Sequence, residues 1–298
     1  MIIVIDALNK ERFSDLLDDM FRLRARVFAG RLGWDVNIES GMEIDRFDHL
    51  DPAYVIGLDD EGNVISCVRA LQTTGPHMLA DVFQSILDGE PPLRSANIWE
   101  STRFCVDTHR LKEDGRPNAI SRATSELMVG SLEFARRSGI TDIITVIDPI
   151  MDRVLKRSDC APYGYVGSTK PMGKVSALAA LLDCSAERIE RVRAFAGITG
   201  DVFATDDEVR ALLDRVKQER RDAAAARMWL IESSETVKEP QALPTQLDIL
   251  EYCEDQIRTA KTPREHAAAL ALVAVLTGQP SITDHTVVPT RKVARARH

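Results

Sequence analysis

The apolar positions of this chain change period several times between its start and residue 230. Ile2 to Ile5 form a short apolar run that predicts a strand. From Lys10 to Ala29 the spacing widens, and Phe13, Leu16, Leu17, Met20, Val27 and Phe28 recur at helical intervals. The same phase brings Arg24 onto that apolar face. Tyr54–Leu58 and Val64–Leu71 predict two strands around the turn Asp59-Asp60-Glu61-Gly62-Asn63, a hairpin. Ile98–Val106 predicts a third clear strand. Pro117–Ser138 predicts a helix stopped by Gly139, and Asp142–Ile147 a strand feeding a basic helix that begins near Pro149. The apolar run Val175–Asp183 fits a strand or a short helix, and strand is preferred. A helix follows from Ala186, and Thr205-Asp206-Asp207-Glu208 has the form of a capping box opening a long helix to about Leu230. Two further helical stretches, Gln246–Lys261 and Arg264–Leu276, precede a basic tail with Arg291, Lys292, Arg295 and Arg297. The order implies a mixed α/β domain over residues 1–214 and a helical extension over 215–298.

Composition narrows the function. The 298 residues are 44% hydrophobic, enough for a sizeable core. A formal net charge of −8 argues against a nucleic-acid binder, whose footprint is normally basic. The five cysteines have no CxxC spacing and an odd count, which suggests neither a zinc ribbon nor a disulfide framework and fits a reducing cytoplasm. The first residues lack a basic n-region and their apolar run is broken at Asp6, so neither a signal peptide nor a membrane span is expected.

Three segments carry candidate chemistry. Arg24, between Met20 and Phe28, either snorkels at the core edge or is paired. In Gly41–Asp48, Glu43, Asp45 and Asp48 place three carboxylates within six residues. Such a cluster can hold a metal, clamp a cationic substrate, pair with Arg24 or form a solvated loop. In the strand Asn97–Phe104, alternation puts Glu100 and Thr102 on one face with Ile98 and Phe104, a carboxylate among apolar neighbours whose burial would raise its pKa into the range of a general base. The alternative is a buried salt bridge. Arg103 falls on the opposite face, so a site using both Glu100 and Arg103 needs a bulge.

Taken in order, Arg24-Ala25-Arg26-Val27-Phe28, Leu32-Gly33-Trp34, Glu43-x-Asp45-x-Phe47-Asp48, Arg69, Thr74–Leu79, Phe83 and Trp99–Phe104 resemble the acyl-homoserine lactone synthases over roughly residues 1–200. The resemblance implies a GNAT-like three-layer α-β-α sandwich, whose central twisted mixed sheet has parted strands forming an acyl cleft. It implies that S-adenosylmethionine, a substrate and not a cofactor, and an acyl thioester combine into a quorum-sensing lactone with release of methylthioadenosine; no metal is called for. Arg24, Phe28, Trp34, Asp45, Asp48 and Arg103 would bind adenosylmethionine, and Glu100, Arg69, Arg103, Asp45 and Asp48 would serve catalysis. Thr102, Met128, Ile144, Thr145, Val146 and Leu155 would line the acyl cleft, with Thr145 resembling a feature that favours 3-oxo acyl groups. Arg153, Lys156, Arg157 and Lys170 would dock an acyl carrier protein, though coenzyme A serves as donor for some relatives. A homodimer through the extension is a further expectation. The sequence departs from the family's more usual Leu and Pro after Arg69, and residues beyond about 215 are absent from typical members.

Two other readings compete. A GNAT-type N-acyltransferase needs a Gly-rich pyrophosphate turn that is not found, and Gly167–Lys174 is one residue too long for a P-loop and lacks its Ser or Thr. A non-catalytic sensor of adenosylmethionine or a carrier protein would be expected to have lost some charged members of the set.

Overall fold

A computed structural model describes residues 1–113, 115, 118–173, 175–235 and 245–277. The chain divides into two compact units between Asp222 and Ala223. The boundary lies inside a long helix, later than the break read near residue 215. Pro117, Lys174 and the basic tail at Arg291, Lys292, Arg295 and Arg297 lie outside the described residues.

In the first unit, strands β1 (Ile2–Ile5), β4 (Ala53–Leu58), β5 (Val64–Gln72), β6 (Ile98–Val106), β7 (Asp142–Ile147), β8 (Gly164–Met172) and β9 (Val175–Asp183) form one sheet in the order β1-β4-β5-β6-β7-β9-β8. A separate two-stranded hairpin, β2 (Ile38–Glu39) and β3 (Met42–Glu43), stands over it. Among the described strand pairs of the larger sheet, only the central β6–β7 pair is parallel. Strand alternation sorts the apolar residues into two layers. Ile3, Ile5, Tyr54 and Ile56 pack with Leu16, Met20 and Leu23 of helix α1 (Ser14–Ala25), whereas Ile2, Val55 and Val68 pack with Leu127 and Leu132 of the helix Ala119–Arg137. The result is the expected α-β-α sandwich.

Helix boundaries follow their local chemistry. The helix Pro149–Arg157 starts at Asp148, whose carboxylate accepts from Met151 N, with proline in its first turn. Thr205 and Glu208 bond reciprocally at the start of the helix Asp206–Glu235, as the capping box predicts. In the second unit, Gln246–Thr259 and Pro263–Thr277 are helices. No helix among the described residues is long and apolar enough to cross a membrane.

Two sheet irregularities shape the site. β6 and β7 pair from Ile98↔Asp142 to Ser101↔Thr145, yet β6 runs on to Val106 and β7 to Ile147, so the parallel strands part in mid-sheet. Between Cys67↔Cys105 and Arg69↔Thr102, Arg103 and Phe104 stand opposite Val68 alone. This is the bulge that joint use of Glu100 and Arg103 requires, and Arg103 takes a left-handed φ of 57°. The extra residue reverses the alternation after it, which corrects the placement of Phe104. Its ring packs in the layer of Trp99 and Leu127, away from Glu100.

Within the seven-stranded sheet, β8 is the strand that the sequence pattern does not announce, and the short β2 and β3 are likewise unannounced. β8 lies at the sheet edge, where alternate residues face solvent and Pro171 costs no central ladder bond. Gly167, at φ 64°, sits against the turn Gln84–Leu87, and a Cβ there would fall 1.8 Å from Ile86 O. Gly167→Ala should therefore lower stability by about 2–3 kcal/mol through overpacking and strain. Urea unfolding of the variant and parent checks this.

Candidate active site

The segment after α1 continues into a π-helical turn, Arg26–Arg31, that buries Phe28 and stacks its ring on Trp34 at 5.1 Å between centroids. Beyond it, the β2–β3 hairpin delivers Glu43. Asp45 then caps the short helical turn Arg46–Leu50 by accepting from Phe47 N, and Asp48 reaches back to Asp45 N. This reciprocal cap explains how three acids within six residues are held apart yet aimed at one point.

Three arginines from three elements meet them. Arg24, from α1, gives Nε to Glu43 at 2.5 Å and both terminal nitrogens to Asp48 at 2.8 Å. Arg69, from β5, binds Asp45 and Asp48 and donates Nε to Thr102 at 3.0 Å. Arg103, turned inward by the bulge, binds Glu43 and Asp45, each at 2.8 Å. Arg24 is wholly buried, so it is paired and does not snorkel. Burial works against charge on Asp48, but the bonds and charges of Arg24 and Arg69 outweigh it and hold the carboxyl well below its usual range. Burial likewise opposes charge on Arg24 and is outweighed by Asp48 and Glu43.

The cluster has an inside and an outside. Arg24, Glu43, Arg69 and Asp48 have side chains at most 2% exposed, whereas Asp45 reaches 16% and Arg103 10%. Arg103 lies over the Phe28 ring at 5.5 Å, and Trp34 is 40% exposed. The outer rim thus combines a carboxylate, a guanidinium and stacked aromatics.

Glu100 is buried, but no arginine among the described residues forms a salt bridge with it. Its Oε1 accepts from Leu79 N and its Oε2 from Met78 N, both at 2.6 Å, at the start of helix α2 (Met78–Asp81). Burial pushes its pKa up to about 7 despite opposition from the Leu79 and Met78 amides and Arg69. Met78 also ties this corner to the arginines, because its Sδ accepts from Arg69 and Arg103.

The acyl residues do not form one wall. Ile144 and Val146 pack with Leu79 and Ile86 on the Glu100 side, while Met128 and Leu155 belong to the opposite layer. Thr102 lies between Glu100 and the bulge with its hydroxyl bound by Arg69. Thr145 donates its hydroxyl to Ser101 O at the point where the strands part. The docking set also divides. Arg153 and Arg157 are exposed and pair with no acid among the described residues, whereas Lys156 is bound to Asp152 and Lys170 to Asp88. Cys105 is buried 3.4 Å from Cys67, and burial pushes its thiol up. His109 is exposed and pairs with Glu113.

Sequence reasoning places Glu43 in the acidic cluster but leaves it out of the site residues, although it pairs with both Arg24 and Arg103. It gives no role to Tyr54, whose hydroxyl donates to Asp48 at 2.7 Å. Tyr54 reads as an ordinary strand aromatic, and nothing local marks its partner.

The family profile described as autoinducer synthase matches residues 8–192. The chain belongs to the autoinducer synthase family. This autoinducer synthase is 37% identical over 180 residues to a probable acyl-homoserine-lactone synthase of Sinorhizobium fredii, covering 60% of this chain and 86% of that one. It is 36% identical over 191 residues to an acyl-homoserine-lactone synthase of Agrobacterium fabrum, covering 64% and 90%. Among solved structures, the CoA-dependent synthase MesI matches with a TM-score of 0.59 at 28% identity, covering 68% of this chain and 99% of MesI. BjaI, solved with adenosylmethionine and isopentyl-CoA, is 22% identical with a TM-score of 0.60 over 73% and 99%, a likeness of fold.

Proposed function

We propose that this autoinducer synthase makes N-acyl-homoserine lactone from S-adenosylmethionine and an acyl thioester, with Glu100 taking the proton of the attacking amine. The observation that carries the reading is a buried carboxylate at the point where two strands part, held by the amide of Met78, whose sulfur in turn contacts Arg103 of the Asp45, Phe28 and Trp34 rim. An α-amino group has a pKa of about 7.7–8.0, so a base is needed near neutral pH. Glu100, pushed up to about 7, is matched to that task. The free amine attacks the thioester carbon, the thiol leaves, and an amide forms. The substrate's carboxylate then displaces methylthioadenosine from its own γ-carbon, closing the ring.

The inner ion pairs support and the rim binds. Arg24, Arg69, Glu43 and Asp48 saturate one another, so they hold Asp45 and Arg103 in place while contributing no free group. Asp45 attracts the ammonium or sulfonium, the Phe28–Trp34 stack offers a cation–π face, and Arg103 pairs with the carboxylate. Amides freed by the bulge at Arg103 suit the developing oxyanion. The acyl chain enters between β6 and β7, passing Ile144 and Val146 toward Met128 and Leu155.

For the donor, Arg153 and Arg157 form the free positive patch suited to an acidic carrier protein, and MesI is named as CoA-dependent. Methylthioadenosine release by the purified chain, assayed with matched acyl-carrier-protein and acyl-CoA donors, tests the proposal. Reversing both charges (R153E with R157E) should raise KM for the carrier-protein donor by about tenfold and leave the CoA donor within about twofold, as expected for steering charges. Equal effects on both donors contradict the docking role, and no release with either contradicts the reaction.

A further inference from the structure

The turn Thr73–His77 is anchored from both ends. Arg94 donates to the carbonyls of Thr73, Thr74 and Gly75, and Thr73 Oγ1 binds Ser95 O and Ile98 O. Immediately after this turn come the two amides that hold Glu100. His77 lies between anchor and amides, fully buried, with Nδ1 3.0 Å from Gly75 O. A carbonyl only accepts, so Nδ1 is the donor in this bond. Nε2 has no hydrogen-bond partner among the described residues. A histidine buried there, with half its polar capacity unused, is held for what Nδ1 does.

We propose that His77 is a positioning residue for the synthase reaction: its Nδ1–H bond to Gly75 fixes the turn that aims the Met78 and Leu79 amides at Glu100. This rests on Glu100 being the base. The bond closes the turn over two residues, so without it the backbone at Met78 swings and both charge-assisted bonds lengthen. The charged groups facing Glu100 are Arg69 from β5 and Asp81 from α2. Arg69 favours its ionised form from a separate strand, whereas Asp81, on the same short helix as the two amides, opposes it. Weakened amide bonds raise the Glu100 pKa further, so the acid limb of activity shifts to higher pH.

Side-chain geometry supplies the test. Asn can place its amide nitrogen near the Nδ1 position, whereas Gln mimics Nε2 and Leu mimics neither. Steady-state kinetics of H77N, H77Q and H77L across pH, beside E100Q and the parent, read the effect. H77Q and H77L should lose about 10- to 100-fold in kcat, the scale of a small misplacement, with KM for adenosylmethionine nearly constant and the acid limb displaced upward. H77N should restore kcat and the parental limb. Equal activity or equal loss in all three His77 variants overturns the proposal. If H77Q and H77L fail to fold, H77N decides: a parental pH profile supports the role, and a displaced one overturns it. E100Q separates the two claims, because full activity there defeats the base reading whatever His77 does.

Discussion

Glu100→Gln should lower kcat by about 10²- to 10⁴-fold, the range that general acid–base catalysis contributes, while adenosylmethionine binding changes by less than about threefold. Glutamine keeps the size of the side chain but cannot take a proton. It also sets an amide nitrogen against one of the Met78 and Leu79 N–H groups, so part of any loss could come from a disturbed turn. The pH profile separates the causes. With Glu100 pushed up to about 7 and active when ionised, parental kcat should rise with pH through about 7. In E100Q that inflection should vanish, whereas a structural effect alone lowers the curve and leaves its shape.

Arg24→Met should cost about 3–5 kcal/mol of stability at neutral pH, the usual effect of removing one partner from a buried ion pair. Methionine fills much of the space but leaves Glu43 and Asp48 buried without the cation that bridges them. Asp48 retains Arg69 and the Tyr54 hydroxyl, and Glu43 retains Arg103, which favours the lower end of the range. The sign of the pH effect follows from the depressed pKa of Asp48. Such a carboxylate contributes stability above its unfolded value of about 3.9 and loses it as pH falls through the folded value. The gap between variant and parent should therefore be widest near neutrality and narrow below about pH 4. Urea unfolding at several pH values measures it, and a gap under about 1 kcal/mol at pH 7 would show that the network is not a support.

Much of this architecture was legible because burial writes itself into period. β6, β7 and β9 have the bounds read from their apolar runs. The need for a bulge near Arg103 also followed from alternation, since Glu100 and Arg103 differ by an odd number of positions. What remained hidden depends on contacts distant in sequence. β8 has the composition of a loop, and only its edge position makes a proline and two glycines acceptable. Phe104 was placed on the wrong face because the bulge that was anticipated also shifts the phase of every residue after it. The partners of Glu100 are backbone amides some twenty residues upstream, which no side-chain pattern announces. Lys170 read as part of a basic patch, but Asp88 neutralises it from a separate turn.

The central claim is that this chain makes an N-acyl-homoserine lactone by way of Glu100 and the Asp45 rim. Mass spectrometry of culture extracts from a host lacking such signals, expressing the chain or its Asp45→Ala variant, tests it most directly. The account predicts N-acyl-homoserine lactones with the parent chain, identified together with their acyl groups, and little or none with the variant. Absence of every such lactone, with folded protein present and varied acyl thioesters supplied, would contradict it.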